Sequence, residues 1–180
     1  MDEVDVYPHI NAEFFAWLLY RAEMVEGSDT IDIDGFGSIS LIIQDRLSFQ
    51  DPSQEKDRTV VTGSDAASSA ETRVALASGK ALQDVRMMLT VEEVPYLLTL
   101  KGDSFDISGL KQAKVSVDTE GAIEEEDEIK ESLLLLRMQE YEVIWSVVEK
   151  LFEQFVEERI DDSWYTETLQ EMRRWVHELD

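Results

Sequence analysis

The sequence predicts an α+β fold: an antiparallel β-sheet of two hairpins with packed helices, followed by a long acidic C-terminal helical hairpin. Three observations lead there. Apolar and polar residues alternate with a period of two in two central stretches, each broken by a turn signal. Apolar residues recur at three- and four-residue steps near both ends, the pattern of helices that bury one side. Glycine stands where elements should stop, at Gly27, Gly35, Gly37 and Gly79.

The stretch "NAEFFAWLLYRAEMVEG" reads as a first helix, with Asn11 as N-cap and Gly27 just past the end. Phe14, Phe15, Trp17, Leu18 and Met24 give it one broad apolar face, a core face in character. Next, Ile31 and Ile33 alternate with Asp32 and Asp34. After "GFG", Ile39, Leu41, Ile43, Leu47 and Phe49 alternate with Ser38, Ser40, Gln44, Arg46 and Ser48, which makes the first hairpin. Asp45 falls on the apolar parity, so it marks either a bulge or the point where that face becomes exposed. "QDPSQEKDR" reads as a polar loop and "TVVTG" as a short third strand. Ser64 or Asp65 caps a second helix, which Gly79 ends.

"ALQDVRMMLTV" and "YLLTLKGDSFDI" then form the second hairpin around "EEVP". With Val91 facing Tyr96, the residues Val85, Met87, Leu89, Val91, Tyr96, Leu98 and Leu100 share a buried face. On the other face Arg86 stands across from Lys101 and Asp84 across from Asp103, with opposite charges on the diagonals. Such a checkerboard serves the fold; the alternative use of the same residues is a phosphate held between Arg86 and Lys101.

The "EEEDE" run opens a long helix, where acids suit the positive end of the dipole. Ile129, Leu133, Leu136, Val143, Val147, Leu151 and Phe155 recur along it, with Glu140 as the polar exception. Reaching Arg159, it would hold roughly 30 residues and run about 45 Å at 1.5 Å per residue. That exceeds what a small domain needs. Leu133, Leu136, Val143, Val147, Leu151 and Phe155 are therefore expected to form a partner or oligomer face, and a homodimer is expected. "DDSW" reads as the cap of a last helix carrying Trp164, Leu169, Met172, Trp175, Val176 and Leu179, paired antiparallel with the long one. The chain thus divides into an α+β domain over residues 1–119 and an acidic helical extension over 120–180.

The 180 residues carry 40 acids and 16 bases, a formal charge of −24. Such a chain is repelled by phosphate backbones and anionic membranes. The excess is uneven: residues 71–119 hold 7 acids and 6 bases, whereas residues 120–180 hold 19 and 6. Solvated helical ends, adaptation to high salt and an acidic surface for a basic partner each account for that excess. There is no cysteine, which removes disulfides and thiolate sites and fits a cytoplasmic setting. "MDEVDVYPHI" lacks the basic and apolar regions of a secretory signal, and no apolar run is long enough to span a bilayer. The two histidines, His9 and His177, lie near the termini outside any HxxxH or HxxE pair. "IDIDGFG" lacks the twelfth-position glutamate of a calcium loop, and no Walker or dinucleotide fingerprint occurs. No catalytic residue, metal site or cofactor is expected.

The elements in order, "FFAWLLYRAE", "SISLIIQDRLSF", "ETRVALASGKALQDVRMML" and "YLLTLKGDSFDISGLK", resemble the C-terminal half of the recombination-associated protein RdgC family over Phe14 to Lys111. Trp17, Gly79, Lys80 and the strands from Val85 to Leu100 stand at the family's places for its Trp-containing segment, Gly-Lys pair and hairpin. The resemblance implies a non-catalytic, nucleoid-associated protein that encloses duplex DNA as a ring-shaped dimer and restrains RecA-type recombination. Phosphate contacts carried over by position are Arg73, Lys80, Arg86 and Lys101. The expected partners are duplex DNA or a recombination protein. The alternative is an acidic adaptor or nucleic-acid mimic that binds a basic protein.

Overall fold

The computed structural model describes residues 10–24, 30–112 and 126–178, the side chains of 54–56 and 126–129 excepted. The order is α1 (Ile10–Met24), β1 (Thr30–Ile33), β2 (Gly37–Asp51), β3 (Gln54–Thr62), α2 (Ala70–Ala77), β4 (Ala81–Val91), β5 (Val94–Lys101), β6 (Ile107–Gln112), α3 (Glu126–Ile160) and α4 (Leu169–His177), the last entered through a π-helical turn at Trp164–Thr168. The fold is α+β. Six strands form one antiparallel sheet in the order β1-β2-β4-β5-β6, with β3 also on β2.

The first hairpin has the expected parity, with Ile31 opposite Ile39 and Ile33 opposite Gly37. Asp45 resolves as a bulge: the β2–β4 register shifts between Ile43 and Leu47, and the Asp45 carbonyl accepts the Gly63 amide. Two strands go beyond the expectation. The polar "QEKDR" is the start of β3, an edge strand, and charged side chains are what edges tolerate. "ISGLKQ" is β6, whose alternation is interrupted by a bulge near Gly109, at φ 64°. The second helix is shorter than expected. Its N-cap is Ser69, whose hydroxyl accepts the Thr72 amide, and the chain before it makes turns.

The register of the second hairpin differs from the expected one by two residues. Val91 pairs with Val94 and Leu89 with Tyr96, because the turn is the two residues Glu92 and Glu93, at φ 49° and 68°. A two-residue turn with both residues left-handed matches strand twist, although glutamate is an unusual occupant. As a correction, Arg86 lies opposite Thr99 rather than Lys101, and Asp84 lies opposite Lys101 rather than Asp103. No like charges face each other directly, so this register relieves the repulsion built into the other. The buried set is unaffected, since a shift of two preserves parity. At the end of this pairing Gly102 is tightly placed. Its amide donates to the Gln83 carbonyl at 2.6 Å, and a Cβ there would stand 2.1 Å from the Leu82 carbonyl oxygen.

One face of the sheet is covered by α1 and the second half of α3, with α4 packed on α1 and α2. The core beneath is aromatic: Phe14 packs on Phe152 at 5.3 Å, Trp17 on Phe155 at 5.7 Å, and Phe155 on Trp164 at 5.7 Å. Trp17 also donates its indole N–H to Glu158 at 2.9 Å. The segments assigned to 1–119 and 120–180 share this core, so α3 from Ile144 onward and α4 are part of the packed body. α4 docks on α1 and α2 more than on α3: Trp175 meets the Tyr20 ring at 5.9 Å and the Arg73 guanidinium at 5.9 Å. Asp161 begins that turn. The Ser163 hydroxyl and amide both donate to its carboxylate, which holds it below the usual carboxylate range. Gly27, His9, Leu179 and the side chain of Ile129 lie outside the described residues.

The row expected to form a partner face divides in two. As a correction, Val147, Leu151 and Phe155 are buried in the chain's own core and Val143 is half-buried against it, whereas Leu133 and Leu136 are exposed. The helix is 35 residues long, and its first part extends beyond the covered face. There it meets the rim of the sheet, where the Tyr141 hydroxyl donates to the Ile107 carbonyl.

Candidate polyanion-binding face

Alternation along a strand that buries one face sends the other parity to the opposite face. Here that opposite face is bare. On it the pairing lines up Lys111, Leu97, Met88 and Ile42 in one row, and Thr99 and Arg86 in the next. A third row carries Lys101, Asp84, Ser48 and Val60. Arg46, opposite Thr62, and Arg58, opposite Gln50, complete the set. Five cations from β2, β3, β4, β5 and β6 therefore share one surface with Asp84 and the bulged Asp45.

Three of the five keep their charge uncommitted. Arg58 donates to the Ser48 hydroxyl at 2.9 and 3.1 Å and reaches Asp84 at 3.3 Å. Arg86 lies 3.9 Å from Asp45, a loose and exposed contact worth little. Arg46, Lys101 and Lys111 make no ion pair among the described residues, and all three are exposed. A groove of about 380 Å³ runs across the middle, lined by Arg46, Ser48, Asp84, Arg86, Thr99 and Lys111. Its cations sit on strands, so sheet packing fixes their spacing.

The residues carried over by position fare differently. Arg86 and Lys101 are brought together on this face. Arg73 is not: on α2 it lies over the Trp175 ring and donates to the Glu178 carbonyl, which ties α2 to α4. Lys80 is not either. It donates to Asp57 and to Thr59, both at 2.9 Å, and its side chain is largely buried. The expected group of four is thus corrected to two, and Arg46, Arg58 and Lys111 join Arg86 and Lys101 on this face. The signal for Arg46 was present in its polar parity, but Arg58 and Lys111 lie in strands whose alternation is weak.

Among the described residues no three carboxylate or imidazole groups converge as a metal-holding cluster, and no helix is long and apolar enough to cross a membrane. Comparisons with protein-family models, curated proteins and solved structures found no match.

Proposed function

We propose that the chain is a non-catalytic, RdgC-like accessory module for recombination or nucleoid organisation, which holds a polyanion across the bare face of its sheet. The polyanion is the phosphate backbone of DNA, or an acidic surface on a DNA-bound partner. One observation carries this reading: a chain of net charge −24 gathers Arg46, Arg58, Arg86, Lys101 and Lys111 on a single uncovered surface. Phosphate contacts need cations only where the backbone lies, while acids elsewhere weaken the approach and prevent tight non-specific binding.

The test is a salt titration of duplex binding, followed by fluorescence anisotropy. Binding is expected at about 50 mM salt and should weaken with a log–log slope of about −3, as three or four released counterions require. Arg86→Glu with Lys111→Glu should abolish it, while Arg73→Glu and Lys80→Glu should have less effect on binding than on stability. No binding at about 50 mM salt removes direct DNA binding.

A second reading has its own observation. The first half of α3 is exposed, apolar and flanked by Glu131, Glu140 and Glu142. That is the surface of an adaptor for a basic protein.

A further inference from the structure

Leu133, Leu134, Leu135 and Leu136 are consecutive residues of α3, so at 100° per residue they cover every side of one helical turn. They are 53%, 58%, 55% and 49% exposed. Leu134, Met138, Tyr141 and Trp145, spaced 4-3-4, extend the exposed surface as a strip. A turn that is apolar on all sides belongs in a buried setting, and an exposed apolar patch of this extent marks a contact surface.

The chemistry of the missing cover follows from the rim. Glu131 and Glu142 border the strip on one side and Lys130 and Arg137 on the other, and over residues 126–145 the sequence carries six acids against those two bases. The cover that suits it is therefore apolar at its centre and net cationic. Two such acidic helices would repel each other, which disfavours pairing α3 with α3. This chain carries a surface of the required kind. On the bare sheet face Ile42 and Val60 are exposed and Met88 and Leu97 are partly exposed, set among Arg46, Arg86, Lys101 and Lys111. Within one chain the two surfaces adjoin at the β6 rim, where Lys111 and Tyr141 line one cavity, but neither covers the other and both remain open to solvent.

We infer that the leucine-rich first half of α3 docks on the bare sheet face of a second copy of this chain. A helix laid on a sheet is the ordinary way to close an open layer. If each copy gives its helix to the other, the contact occurs twice and the pair closes with twofold symmetry. This rests on the second reading and names its basic partner as the chain's own sheet. It also makes the acidic helix a competitor for the face that would hold a polyanion, so duplex and second copy should exclude one another.

The experiment is sedimentation equilibrium of the full chain up to about 100 µM, where a weak pair becomes populated. The expected result is a reversible dimer. Leu134→Ser with Met138→Ser, and separately Arg86→Glu with Lys111→Glu, should each weaken the dissociation constant by at least about tenfold. All four positions are exposed or half-exposed, so both variants should fold, as circular dichroism would verify. Mixing the two variants should restore a one-to-one complex, because one supplies an intact sheet and the other an intact helix. A wild-type chain that stays monomeric overturns the inference. So does a sheet variant that associates as well as wild type, since that result assigns the dimer to helix–helix pairing. Duplex binding measured at about 1 µM, below the association range, tests the polyanion reading separately.

Discussion

The two halves of α3 are written in the same kind of sequence and meet different fates. From Ile144 to Phe155 all the apolar residues but Trp145 belong to the core, with Phe155 against Phe14, Trp17 and Trp164, whereas Leu133 to Met138 remain in solvent. The sheet repeats the contrast across its thickness, with one parity buried under helices and the other left bare with its cations. Hydrophobic periodicity, then, identifies surfaces that need a cover but does not say which molecule provides it. In the second half of α3 the cover is the chain itself. In the first half no cover is present among the described residues.

The sharpest way to break this comparison is to truncate one residue in each half. Phe155→Ala removes a fully buried ring that touches Phe14, Trp17, Phe152 and Trp164, and should cost about 3–5 kcal/mol. Leu134→Ser in the monomer should change stability by no more than about 0.5 kcal/mol. Urea unfolding at a concentration too low for association measures both, and equal costs would show that the first half is also packed within the monomer.

A smaller effect should come from the turn that decides which residues share the bare face. Glu92 and Glu93 both occupy left-handed conformations, a strained choice for residues with a Cβ. Replacing them by Asn and Gly should stabilise the fold by about 1 kcal/mol and leave duplex binding unchanged. A loss of stability would mean that the two-residue register is wrong.

An effect absent at neutral pH belongs to the covered side and appears only at high pH. Burial, then the hydrogen bond to Glu171 at 2.8 Å, pushes the Tyr20 phenol up from 10.0 to about 12. The folded chain keeps this proton where the unfolded chain loses it. Its stabilising contribution is whole below pH 10 and declines as the pH rises toward 12. Tyr20→Phe should therefore flatten the fall in urea midpoint over that window. An unchanged slope would place the phenol in water.

Much of the fold was legible because period carries face. The parity of Ile39 to Phe49 and of Val85 to Leu100 named the buried residues correctly, and a register error of two residues left that list intact. The same error misplaced Arg86 against Lys101. Charged residues on a bare face have no core to specify them, and glutamate is a poor signal for a left-handed turn. The first half of β3 was hidden by its charges, and β6 by its bulge. Of the candidate site, Arg86 and Lys101 were readable from alternation, while Arg73 and Lys80 were assigned by order along the chain, which does not say which face a residue occupies.

By itself, then, the sequence determined the period of most elements, the parity of their apolar residues, the end of α2 at Gly79, and the acidity of the last third, because these depend on neighbours a few residues apart. Only the tertiary structure decided that five cations on separate strands share one surface, that Arg73 and Lys80 are tied up elsewhere, and that α3 is half covered. Those outcomes depend on lateral strand pairing and on where the core ends, and both are set by contacts between residues far apart in the chain.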